Sequence, residues 1–313
     1  MEVIIIRHYL SMEFGLPISG HKDLGFIDVA SNDDTSLFLD PCLIETQSDM
    51  FSRCCQRVIR DYIATLYDVA RFSPNPYDMV PFLRHLGERN EARLGYGTGR
   101  NGKAKTAEGM ADTLAGLHSL IRTGVPMQEA CDIPLLMPGF AEDCMSDMLL
   151  NVLFKLLCEF TVQQCNLLGI PTSPIPSRRY YWDESVHAWQ EYTGECLVLH
   201  GEIIILVPKH FVRPRFSFTT SQFFMSEIAT ILQEEQRFFS AGKECKPTKQ
   251  DVRFQEILEY GTILNATREY TKEMPYLLNR YHRSVFASYS DRVMTDDELD
   301  KHVYTDRISG VVA

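Results

Sequence analysis

The chain has 313 residues, 45% hydrophobic and 23% charged, which is the composition of a folded globular protein with ample core and excludes long disorder. Its formal net charge of -11 disfavours nonspecific binding along a nucleic-acid backbone, because such binding draws its energy from neutralised phosphates, and leaves only local basic patches to work against that field. Nine cysteines with no CxxC pair, and a start (MEVIIIRHYL) without a cleavage-site pattern, predict a cytoplasmic protein with free thiols and no structural metal; no stretch reaches the length of a membrane span.

In chain order, Val3 to Ile6, Gly25 to Val29 and Ser36 to Asp40 read as strands separated by Gly, Pro, Asn and Asp. Residues 48 to 72 change to helical spacing, with Met50, Phe51, Cys54, Cys55, Val58, Ile59, Tyr62, Ile63, Leu66 and Val69 on the core-facing side. A short helix near Tyr77 to Leu86 follows the Pro74-Asn75-Pro76 break, and another runs from Thr106 to Thr123, with Thr106 its N-cap. One long buried helix is predicted over 142 to 168. The loop GIPTSPIPSR after it carries three prolines and marks a junction between a main region, 1–172, and a smaller strand-plus-helix region, 173–313. Cys196 to Val207 reads as one or two buried strands, with His200-Gly201 as a tight turn. Helices over about 219 to 240 and 249 to 285 follow, and then a polar surface helix or tail with Asp296, Asp297, Glu298 and Asp300. The fold class is mixed α+β, helix-rich, with an N-terminal β-containing region and a long central helix.

Asp143, Asp147 and Asn151 recur at four-residue steps in the central helix, so they share one face. Two carboxylates and an amide so placed suit Mg²⁺ or Mn²⁺, which would activate water or clamp a phosphate. The alternative is structural: acidic residues in the first turns suit the helix dipole, and Lys155 and Glu159 continue an ordinary solvent-facing edge. Asp40 ends the apolar run LFLDP and joins the catalytic set only where the fold brings it into a cleft with Asp143 and Asp147; Glu45 would then add a further oxygen donor. Equally, an Asp before Pro makes a turn.

The segment GYGTGRNGKAKT matches both GxGxxG and GxxxxGK, but no apolar strand precedes it and Ala104 stands where a P-loop needs Ser or Thr. Both nucleotide folds are rejected. The local physics that survives is an anion site built from Gly97, Gly99, Arg100, Gly102, Lys103 and Lys105, against the alternative of a bare surface loop. His200 and His210 lie in no metal-ligand spacing, and no GxSxG elbow occurs. Trp182, Trp189, Tyr180, Tyr181 and Tyr192 form an aromatic cluster suited to stacking bases or to packing a junction.

Taken together, LFLDP (37–41), the glycine-rich loop, DCMSDMLLN (143–151), EFTVQQCNLLGIP (159–171) and ILVPKH (205–210) resemble a bacterial family associated with anti-phage defence loci. Longer members of that family carry a restriction-endonuclease-like domain with an ExK signature; after Arg283 this chain has about thirty residues and no strand ending in E-x-K. The resemblance implies a subunit of an antiviral defence system that binds a partner effector protein, or a phosphate-bearing ligand such as nucleic acid, as part of a hetero- or homo-oligomer. The rival it leaves open is a metal-dependent phosphodiesterase or nuclease using Asp40, Asp143 and Asp147. The exposed partner surface is expected at the 178–192 aromatic segment or on the 249–285 helix, where Phe254, Ile257, Leu258, Ile263 and Leu264 exceed what one core can cover.

Overall fold

The computed structural model describes residues 7–96 and 116–304. Val3 to Ile6 and the glycine-rich residues Gly97, Gly99, Arg100, Gly102, Lys103 and Lys105 lie outside them. Within them the fold is helix-rich α+β: helices carry most of the regular structure, and the strands pair in small antiparallel sheets of two or three. No helix among the described residues is long and apolar enough to cross a membrane.

The helix Met50–Phe72 forms as its periodicity predicts, started by Asp49, whose carboxylate accepts from the Ser52 N–H. Its inner face buries Cys55, Val58, Ile59, Tyr62, Ile63 and Leu66. The predicted central helix is two helices, Glu142–Val152 and Phe154–Leu168, divided at Leu153 (φ -88°, ψ 5°). Next to the break the Asn151 amide donates to the Asp147 carbonyl at 2.7 Å, a side chain competing for the backbone ladder at the point where it falters.

Residues 26–29 are buried but form no ladder, and Gly25 is exposed in a bend; Phe26 makes a lone bridge to Pro208, and Ile27 N–H donates to the Val207 carbonyl. Phe38–Leu39 does pair, antiparallel to Val212–Arg213. Glu195–Leu199 and Glu202–Ile204 make the expected hairpin, turning through His200 (φ 53°) and Gly201 (φ 85°), the two positive values a type I′ turn requires. The long C-terminal helices divide as well. The stretch 219–240 contains a π turn over Phe224–Ile228 and ends in a strand, Phe238–Ser240. The stretch 249–285 is three helices, Lys249–Tyr260, Ile263–Glu273 and Tyr276–Tyr289, broken at Gly261 (φ 78°) and at Pro275, which cannot continue the ladder. The last described helix, Asp296–Val303, is closed by a Thr295–Glu298 capping box.

One apolar core runs from Tyr9 to Val303 and takes residues from both sides of residue 172. The aromatic cluster belongs to it. Trp182 and Trp189 face each other across the hairpin Tyr180–Asp183/Ala188–Glu191, both buried, and Trp182 donates its indole N–H to Asp61 at 2.7 Å. Both tryptophans therefore pack into the single core and are not exposed to a partner. On the C-terminal helices Phe254 and Leu258 are exposed, as are Phe238 and Phe239.

Candidate functional site

The segment Arg84 to Arg93 leaves the short helix Val80–Leu83 and is pinned at its far end. The Ile205 N–H donates to the Glu91 carbonyl at 2.8 Å, the Thr35 N–H donates to the Arg93 carbonyl at 2.9 Å, and Arg93 turns the chain with a positive φ of 51°. Opposite it, residues 176–180 lead into the aromatic hairpin. Between these segments, and closed by 32–34 and 201–203, lies a cleft of about 790 Å³. Five arginines line it: Arg84, Arg89, Arg93, Arg178 and Arg179.

These arginines divide by what holds them. Arg89 is buried, donates from Nε to Asn151 Oδ1 at 2.7 Å, pairs with Glu91 at 3.6 Å, and lies 4.7 Å over the Phe154 ring. Glu91 also takes Arg179 at 2.5 Å, and Arg93 pairs with Glu202 at the rim. Arg84 is exposed and makes no ion pair among the described residues; Arg178 is exposed with a loose pair to Glu191 at 3.4 Å. Carboxylates thus pair with four of the five arginines; Arg84 has no ion pair among the described residues, and the Arg178 pair with the exposed Glu191 is open to water, where such a pair holds weakly. Beside them His85 stacks on Tyr180 with centroids 3.9 Å apart and planes 22° apart. Burial, with Arg84 and Arg89 close by, pushes the His85 pKa down, so its ring is a neutral surface at pH 7.

The proposed acidic site is distributed differently from the sequence expectation. Asp40 is fully buried and caps the helix Pro41–Thr46: Oδ1 accepts from the Cys42 N–H at 2.8 Å and the Leu43 N–H at 3.3 Å, and Oδ2 accepts from the Tyr289 hydroxyl at 2.6 Å. Asp147 and Asn151 are also buried, although the helix stripe reads as solvent-facing. Asp147 accepts the Arg89 N–H at 3.2 Å, and Asn151 uses its amide on Arg89, Gly87 and the Asp147 carbonyl. Burial and the neighbouring Asp143 push the Asp147 pKa up. Asp143, Asp147 and Asn151 thus keep the shared helix face. Asp40 is turned toward Tyr289 and Arg213, and neither it nor Asp143 nor Asp147 lines the cleft. Asp40, Asp143 and Asp147 are not among the described His, Cys, Asp and Glu side chains whose donor atoms gather in threes within 4.8 Å of one another.

Burial pushes the Asp40 carboxyl up to about 6, against the opposing pull of Tyr289 and Arg213. A carboxyl raised on folding stabilises the protein below its unfolded value, near 3.8, and that contribution is lost as pH rises through about 6. The loss is on the order of 3 kcal/mol. Asp40→Asn keeps a good N-cap and removes the titration. Urea unfolding across this pH window should show stability declining in the wild type and a flatter profile in the variant.

A second group is convergent. Among the described residues, Cys131, Asp132 and His282 are the one set of three His, Cys, Asp or Glu side chains whose donor atoms all lie within 4.8 Å of one another, and all three are buried. Asp132 Oδ2 accepts the Gln128 and Glu129 N–H groups, each at 2.8 Å, and Oδ1 meets His282 Nε2 at 2.7 Å. Burial opposes charge on the imidazole, but Asp132 and Cys131 outweigh it and hold its pKa at about 11. The sequence reading missed this set because residues 131 and 282 share no local spacing. It also missed the cleft, whose arginines come from two stretches without a motif.

A family model described as "Domain of unknown function (DUF8370)" matches residues 15–219. No curated protein and no solved structure matches the chain. Every residue that lines the cleft falls inside the matched span.

Proposed function

The chain belongs to the family described as a domain of unknown function, DUF8370, and we propose that it binds a phosphate-bearing ligand in the arginine-lined cleft. Single-stranded nucleic acid is the leading case, and a bacterial antiviral defence system is the setting. The observation that carries the binding reading is the pair Arg84 and Arg178: exposed guanidinium groups at the mouth of a cleft whose inner arginines are already fixed by carboxylates. Guanidinium forks match phosphate oxygens two at a time. The Tyr180–His85 stack beside them offers the ring surface that an unpaired base needs, and base stacking on aromatic rings is worth about 1–3 kcal/mol per base.

The glycine-rich segment supports the same reading by connectivity. Gly97 is four positions beyond Arg93 in the chain, and Arg100, Lys103 and Lys105 follow it; all four lie outside the described residues. The defence setting rests on the resemblance of 37–41, 143–151, 159–171 and 205–210. An effector protein would find Phe254 and Leu258 exposed on the helix Lys249–Tyr260.

Fluorescence anisotropy with a labelled single-stranded oligonucleotide tests the binding reading. Replacing Arg84 and Arg178 together with Ala should weaken binding by about ten-fold or more, since charge-assisted hydrogen bonds contribute about 1.5–3 kcal/mol each. Melting should hardly change, because both side chains are exposed. Equal affinity for wild type and variant removes the cleft from the account.

A further inference from the structure

We propose that Cys131, Asp132 and His282 bind a divalent d-block cation of the zinc class. A thiolate, a carboxylate and an imidazole are the donor types that zinc takes, and ligand atoms around a tetrahedral zinc lie about 3–4 Å apart. The three donors here lie within 4.8 Å of one another. The carboxylate is also pre-positioned. With Oδ2 held by two backbone N–H groups, Asp132 presents Oδ1 alone, the outer hydrogen bonding that typically orients a metal ligand. His282 is set by the helix Tyr276–Tyr289 and by Phe286, stacked on its ring at 5.8 Å.

A buried ion pair between Asp132 and His282 would need neither sulfur. Yet Cys131 completes the group, its sulfur within 4.8 Å of the Asp132 and His282 donor atoms. Cys131 lines a cavity of about 240 Å³, flanked by Ile44, Ile59 and Phe286, which gives an entry path to the three donors. The ligands come from positions 131–132 and 282, so a bound ion would tie the helix Tyr276–Tyr289 to the segment before Pro134.

Metal analysis of the full chain purified without chelator, followed by Co²⁺ titration, tests this site. The expected result is a single equivalent of Zn²⁺, and with Co²⁺ a near-ultraviolet thiolate-to-cobalt absorption that is absent from the isosteric variant Cys131→Ser. Zn²⁺ should raise the wild-type melting temperature and leave that of the variant unchanged, since a ligand that binds only the folded state stabilises it. Circular dichroism of Cys131→Ser checks that the variant is folded. No stoichiometric metal, or a cobalt band that persists in Cys131→Ser, overturns the site. So does alkylation of Cys131 at the same rate with and without zinc, the outcome for a plain ion pair beside a free thiol.

Discussion

Replacing Arg89 with Met will destabilise the protein by about 3–5 kcal/mol, the cost of breaking a buried charged network by removing one partner. At about 2–4 °C per kcal/mol for chains of this order of size, the melting temperature should fall by roughly 10 °C. Methionine fills much of the same volume against Phe154, so the loss is polar. Asn151 Oδ1 loses its donor, the Tyr180 carbonyl loses a contact, and Glu91 is left with Arg179 alone. Differential scanning calorimetry gives the number. A drop of only a degree or two would mean that water reaches Asn151 and Glu91 and that the inner wall of the cleft is wet.

The second large effect is at Asp132. Asp132→Ala removes the partner of His282 and the acceptor of two backbone N–H groups in one step, all at a position with no solvent exposure. We expect a loss of about 3–5 kcal/mol in denaturant unfolding, measured with chelator present so that no bound ion contributes. Asp132→Asn should lose less, because an amide oxygen still accepts from Gln128 and Glu129. The difference between the two variants separates the backbone capping from the charge pair. If both variants lose the same amount, the capping is not what makes Asp132 structural.

What was legible in the sequence was local. The face of Met50–Phe72 follows from a period that one element carries by itself, and the His200-Gly201 turn follows from two residues that tolerate positive φ. Gly261 and Pro275 are equally local signals, yet apolar spacing continues across both, so three helices read as one. The site was not local. Asp147 and Asn151 look like a solvent-facing stripe because the guanidinium and backbone that satisfy them sit at Arg89, about sixty residues away in the chain. Asp40 reads equally well as a catalytic acid or as a turn former, and only the Tyr289 hydroxyl, 249 positions distant, shows where its second oxygen is spent. A pattern of residue types identifies which groups need partners; the tertiary fold supplies them.

The central claim is that the cleft takes phosphate through Arg84 and Arg178, and the salt dependence of oligonucleotide binding tests it most directly. For single strands, log affinity falls with log salt at a slope of about -0.7 for each phosphate neutralised. The wild type should therefore bind with a steep negative slope, and the Arg84→Ala/Arg178→Ala variant should lose about 1.4 of it. A wild type that does not bind, or a slope that both proteins share, would contradict the assignment.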